Sequence, residues 1–301
     1  MSIFTGSGVA VCTPFDKAGN FNYEAYEKLI GFQVKSGTDA IVACGTTGEA
    51  TTLSTDEHIE VVRAAAEIAR KAGKEHNRKV PVIAGAGGND TAKCIKMGQA
   101  LTQAGADALM YVTPYYNKTS QKGLVQHYTA VASAVDLPIV VYNVPSRTGL
   151  NMLPKTFYEI SKLPNIVAMK EASGDIVQVA EMMELCGDNI SMYSGNDNHI
   201  VPILSLGGKG VISTIANIAP TQTHDMVMAY LNKDWETSLK LQLDMLPLVR
   251  CLFADVNPMP VKTALNLMGF DVGQCRLPLT SIDDDLLENL KQEMARYGLI
   301  K

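Results

Sequence analysis

The chain has 301 residues, 26 Lys and Arg against 31 Asp and Glu, and a net charge of -5, with 47% hydrophobic and 19% charged residues. That balance describes a globular, mildly acidic protein, excludes a disordered chain and leaves no basic footprint for nucleic acid. No apolar run is long enough to span a bilayer, and residues 1–8 lack the charged and apolar regions of a leader, so no membrane partner is expected.

Six cysteines (12, 44, 94, 186, 251 and 275) are scattered without a Cys-x-x-Cys pair. They read as reduced thiols in a cytoplasmic protein and not as a disulfide frame. The five histidines form no His-x-x-x-His set, so no transition-metal site is expected, and no cofactor.

In chain order, an apolar strand over 8–13 is stopped by Pro14, and a helix follows over 23–36 with Tyr26, Leu29, Ile30 and Gln33 on one face. A second strand, 39–44, runs into Gly45-Thr46-Thr47-Gly48-Glu49, and Thr55 is the expected N-cap of a helix over 55–74. Strand 80–85 precedes a helix over 91–104, and strand 108–113 ends at Pro114 and Tyr115-Tyr116 before a helix over 121–134. Strand 138–142 leads into Asn143-Val-Pro-Ser-Arg147-Thr-Gly149. The sixth strand carries Lys170, the seventh (191–194) precedes Gly195, and the eighth covers 210–216.

Eight strands alternating with helices predict a (β/α)8 barrel, a TIM barrel, and not a doubly wound sheet, because no Gly-x-Gly-x-x-Gly opens a helix. Strands stop near residue 230. The tail reads as helices over 235–254, from Pro258–Pro260 onward, and over 283–297. The expected organisation is a catalytic barrel, 1–232, with a C-terminal three-helix appendage, 233–301.

Barrel chemistry sits at the C-terminal ends of the strands. The sixth strand, Ile166-Val-Ala-Met-Lys170, is almost wholly apolar, with Ala168 and Lys170 expected on one face and Val167 and Met169 on the other. Desolvation there lowers a lysine pKa and makes the amine nucleophilic toward a carbonyl carbon. The alternative is a lysine that reaches water or pairs with Glu171. The loop 45–48 offers backbone N–H groups and threonine hydroxyls to a small carboxylate, unless it is an ordinary strand-to-helix turn. Tyr115, Tyr116, Tyr142 and Arg147 fall at the same rim, and Arg147 suits bidentate carboxylate binding. Gly207-Gly-Lys-Gly210 precedes its strand and belongs to the opposite face. His58 and His127 lie in helices as surface or packing residues. The set points to class I aldolase chemistry, in which a lysine imine gives an enamine that attacks an aldehyde.

Five segments carry a resemblance that runs nearly end to end: Gly-Thr-Thr-Gly-Glu (45–49), Thr-Pro-Tyr-Tyr-Asn (113–117), Tyr-Asn-Val-Pro-Ser-Arg-Thr-Gly (142–149), Lys-Glu-Ala-Ser-Gly (170–174) and Asn-Pro-Met-Pro-Val-Lys (257–262). Together they resemble the dihydrodipicolinate synthase family of lysine and diaminopimelate biosynthesis. The resemblance implies condensation of pyruvate with L-aspartate 4-semialdehyde, with Lys170 as Schiff-base residue and Thr46, Tyr142 and Tyr116 as proton relay. Tyr116 would reach into a neighbouring subunit of a homotetramer. Thr47 would hold the pyruvate carboxylate and Arg147 that of the semialdehyde, with Ile212 and Gly195 lining the pocket. N-acetylneuraminate lyase shares the lysine but lacks an arginine in that segment, so Ser146-Arg147-Thr148 favours the synthase. A sister enzyme for another aldehyde and a catalytically dead binding barrel are the alternatives. Lysine-inhibited members use a histidine and a glutamate where this chain has Thr55 and Lys93, while His58, Asn89 and Tyr115 remain. Weak or absent lysine inhibition is therefore expected.

Overall fold

A computed structural model describes residues 2–301. Strands β1 (Gly6–Ala10), β2 (Ala40–Ala43), β3 (Val82–Gly85), β4 (Ala108–Val112), β5 (Ile139–Asn143), β6 (Ile166–Glu171), β7 (Ser191–Ser194) and β8 (Gly210–Ser213) form a closed barrel in sequence order. Every pair is parallel, and β8 closes on β1 with Gly6 opposite Gly210. Strands covered on both faces have no polar side, which is why they read as continuous apolar runs. Alternate residues feed two separate layers. Ala10, Val42, Ile83, Met110, Val140, Tyr142, Ala168 and Ile212 fill the barrel, while Val9, Ile41, Leu109, Val141 and Met169 face the helices. At the N-terminal end the Phe4 and Tyr193 rings stack at 4.3 Å and the Tyr193 hydroxyl donates to Phe4 O at 2.6 Å, closing the barrel floor.

Helices α1 (Tyr23–Lys35), α2 (Thr55–Glu75), α3 (Thr91–Gln103) and α4 (Gln121–Ala132) follow the first four strands, close to the expected spans. Four more segments follow whose helices the periodicity did not mark: α5 (Pro145–Thr148) with α6 (Pro154–Ile160), then α7 (Ile176–Cys186), α8 (Ile200–Ser205) and α9 (Pro220–Leu231). Most are short, and their local signal is a start residue: proline at the first turn of α5, α6 and α9, and an Asp175 cap on α7. The tail is α10 (Trp235–Leu252), α11 (Met259–Leu267) and α12 (Asp284–Arg296), as expected, and residue 232 falls in the turn between α9 and α10.

Two local expectations are corrected. The N-cap of α2 is Ser54, not Thr55. Its hydroxyl accepts from Glu57 N while Glu57 Oε2 accepts from Ser54 N at 2.8 Å, a reciprocal pair that Thr55 cannot make one residue later. The face alternation of β6 is also broken. Ile139 pairs with Ile166 but Val140 with Ala168, so a bulge at Val167 puts Ile166 and Met169 both outside and leaves Ala168 and Lys170 inside. An extra residue in one strand re-aims everything after it. Here it helps turn the lysine into the barrel.

Candidate active site

Lys170 sits opposite Tyr142 across the β5–β6 pairing, with its Nζ 4.2 Å from the centre of the Tyr142 ring. The lysine is 6% exposed. Burial pulls its pKa down to about 8, with the Asp197 carboxylate opposing that shift and Arg147 adding to it. Neither alternative for the lysine holds. It does not reach bulk water, and the adjacent Glu171 is engaged elsewhere, accepting from Asn143 Nδ2 at 3.1 Å and Ser173 N at 2.6 Å. Gly195 explains how the lysine stem fits. A Cβ there would stand 3.2 Å from Lys170 Cγ and 2.8 Å from Ala172 Cβ, so only glycine lets β7 pass this closely.

Around the amine, Tyr142 is buried and its phenol pKa is raised by that burial, while Arg147 and a hydrogen bond with Thr46 counteract it. Thr46 and Thr47 lie on the turn after β2. That turn is held by Glu49 N donating to Thr46 O at 3.1 Å and by Thr13 Oγ1 donating to Gly48 O at 2.7 Å. Cys44 and Glu49 bracket it, both in the left-handed region that non-glycine residues avoid. The Thr47 hydroxyl accepts from Asn257 Nδ2 at 2.9 Å, and Arg147 Nη2 donates to Asn257 O at 3.2 Å. A cavity of about 310 Å³ opens between Thr46, Tyr142, Arg147 and Asn257, with Met110 and Val144 as apolar wall.

The structure thus brings together Lys170, Tyr142, Thr46, Thr47, Arg147 and Gly195, with Ile212 buried inside the barrel on β8. It does not bring Tyr116 to this site. That side chain is 90% exposed on a left-handed backbone (φ 70°). His58 is buried, with Nε2 2.8 Å from Gly85 O, and borders the cavity; His127 is buried beside Thr91 Oγ1 at 2.9 Å. The Gly207–Gly210 turn lies at the barrel floor, where Lys209 O accepts from Gly6 N, as its position before β8 requires.

Sequence reasoning missed two polar residues here. Asp197 is buried just after β7, its Oδ2 accepting from Thr214 N at 3.1 Å and Ile215 N at 2.9 Å, and its own pKa is raised by burial. Asn257, between α10 and α11 of the appendage, joins Thr47 to Arg147. A carboxylate just past a strand end was a usable signal for the first; the second opens the 257–262 segment that carries the resemblance, but nothing in that segment gives its partners. Among the described residues no group of three or more His, Cys, Asp or Glu could hold a metal ion, and no helix is long and apolar enough to cross a membrane.

A parallel eight-stranded barrel with one desolvated lysine at its mouth defines a lyase barrel of the class I aldolase type. Comparison with known proteins narrows this. Residues 3–296 match the Dihydrodipicolinate synthetase family, and the chain belongs to that family. A 4-hydroxy-tetrahydrodipicolinate synthase of Thermoanaerobacter sp. (strain X514) is 53% identical over 302 aligned positions, covering 100% of this chain and 99% of the relative. The structure of the Cyanidioschyzon merolae enzyme with lysine bound superposes with a TM-score of 0.95 at 36% identity, covering 100% of both chains. A relative described as the first monomeric dihydrodipicolinate synthase variant gives 0.94 at 40% identity, covering 99% of this chain and 98% of that one.

Because burial lowers the pKa of Lys170, its labelling by a small amine-directed reagent should rise with pH around a midpoint near 8, well below surface lysines at ~10.4. Asp197→Asn removes the carboxylate that favours the charged amine, so the midpoint should move lower still. Peptide mass spectrometry across a pH series reads both; an ordinary lysine midpoint for Lys170 would refute the desolvation argument.

Proposed function

We propose that the protein condenses pyruvate with L-aspartate 4-semialdehyde to 4-hydroxy-tetrahydrodipicolinate, in lysine and diaminopimelate biosynthesis, through a Schiff base on Lys170. The observation that carries this reading is the buried amine of Lys170, its pKa lowered toward neutrality and packed on Tyr142, with two groups suited to carboxylates, Thr47 and Arg147, at the same end of the barrel. Lys170 Nζ attacks the pyruvate keto carbon, and water leaves to give an imine. Loss of a methyl proton yields an enamine, whose carbon bonds to the semialdehyde carbonyl carbon. The substrate amine then displaces Lys170 from the imine carbon and closes the ring. Tyr142 and Thr46 pass protons, and Thr47 with the turn N–H groups holds the pyruvate carboxylate. Ile212 and Gly195 line the pocket. Arg147, exposed at the rim, receives the second carboxylate and favours this substrate over other aldehydes. The barrel, 1–232, supplies the reacting groups, and the helical unit, 233–301, braces them. Six free cysteines support a cytoplasmic setting.

Borohydride reduction in the presence of pyruvate should leave an adduct on Lys170 that disappears in Lys170→Ala. A folded protein without the adduct would retire the Schiff-base reading.

The exposed Tyr116 supports an assembly, a homotetramer of tight dimers, in which each Tyr116 completes its neighbour's relay. Separately weak Tyr116→Phe and Lys170→Ala preparations should regain activity when unfolded, mixed and refolded together, because a mixed pair rebuilds one intact site. No gain in mixed oligomers would place Tyr116 outside the relay.

Lysine should inhibit weakly or not at all. Lys93, near the start of α3, and Thr55 are both exposed, and a cation at position 93 repels an effector's ammonium where a carboxylate would attract it. An inhibition curve with strong loss of activity at sub-millimolar lysine would overturn this.

A further inference from the structure

The least expected ion pair in the molecule lies beside the carboxylate turn. Lys262 of α11 is 1% exposed and Glu49 is 2% exposed, with Nζ and Oε1 2.7 Å apart. Lys262 Nζ also donates to Gln274 O at 3.1 Å and stands 4.2 Å from the centre of the Phe15 ring. The other carboxylate oxygen, Glu49 Oε2, accepts from Arg276 N at 2.9 Å. Both oxygens of one barrel residue are therefore held by the C-terminal appendage. The Arg276 side chain fastens the same stretch further on, donating to Thr52 O at 2.8 Å, and holds the loop between β1 and α1 by donating to Gly19 O at 3.0 Å.

Burying two charges is expensive, and replacing such a pair by packed apolar side chains is often neutral for stability. Overall stability is thus a poor reason for this pair. Its location gives a better one. Glu49 closes the turn 45–49 with a left-handed backbone (φ 53°), and its N–H fixes Thr46 O. Backbone in that region persists only where surrounding contacts hold it. Asn257, five residues before Lys262, holds the Thr47 hydroxyl from the same side.

We infer that Glu49 and Lys262 are positioning residues: through the turn they lock, α11 sets where Thr46 and Thr47 stand, and hence pyruvate binding and proton transfer. This rests on the reading of Thr46 and Thr47 given above. Glu49 borders the cavity, but both oxygens of its carboxylate are taken by Lys262 Nζ and Arg276 N, so the pair acts through the turn.

The test is steady-state kinetics on two variants of the full chain. Glu49→Leu with Lys262→Met replaces the pair by apolar side chains. Glu49→Asp keeps both charges and shortens the reach by one methylene. Each should still fold, at a lower Tm because Arg276 N, Gln274 O or the Lys262 ammonium loses its partner. Each should also raise the pyruvate KM about tenfold or more and lower kcat, since an ångström of misplacement costs up to ~100-fold. The pH midpoint of Lys170 labelling should stay unchanged in both. Parental KM and kcat in either folded variant would overturn the inference, and so would loss of the fold in both, which would make the pair structural. Thr47→Val separates the two readings. If it binds pyruvate like the parent, the site assignment fails; if it is impaired while the pair variants are not, only this inference falls.

Discussion

Everything at the mouth of this barrel depends on keeping one lysine out of water. A pKa near 8 against an ordinary value of 10.5 means that burying the protonated amine opposes folding by about 3 kcal/mol at neutral pH. The sign follows from proton counts. Between pH 8 and 10.5 the unfolded chain holds the proton that the folded chain has lost, so this penalty persists below 8 and fades as pH climbs through that window. The rest of the fold must absorb it. The two apolar layers do so, and the interior layer also supplies the low-dielectric surroundings that depress the pKa.

Much of this was readable in the sequence because parallel strands buried on both faces leave an apolar run whatever surrounds them. The first helices fall within a residue or two of their expected spans because each shows one apolar face. By contrast β1 (Gly6–Ala10) lies earlier than the expected 8–13 and β8 ends at Ser213, short of the expected 216, since an apolar run does not mark where pairing stops. Lys170 was conspicuous as the cation closing such a run. What could not be read depends on partners far along the chain. Asn257 meets Thr47 across 210 positions and Lys262 meets Glu49 across 213, so no local pattern announces either. The bulge at Val167 was equally silent, because a bulge is a mismatch between two strands and only one is visible at a time. The Ser54 cap was legible in principle: Ser54 and Glu57 stand at capping-box spacing.

The C-terminal helices are more than cladding. Gln242 of α10 donates to Asp197 O at 2.9 Å, Asn257 reaches Thr47 and Arg147, and Lys262 reaches Glu49. Three points of the appendage thus touch three different segments of the rim. Barrel strands fix Lys170 and Tyr142 opposite each other through backbone pairing, which loop changes do not disturb. The rim has no such ladder, and its order is imported from the tail.

The stacked rings of Phe4 and Tyr193 give the molecule a closed bottom. A barrel shut at one end is a vessel with a single door, and Lys170 stands deeper in it than Arg147. Traffic through such a vessel has to queue. On the proposed reading, a ketone bound to Lys170 would lie below an aldehyde held at Arg147, so the two would enter in that order and the product would leave past the same rim.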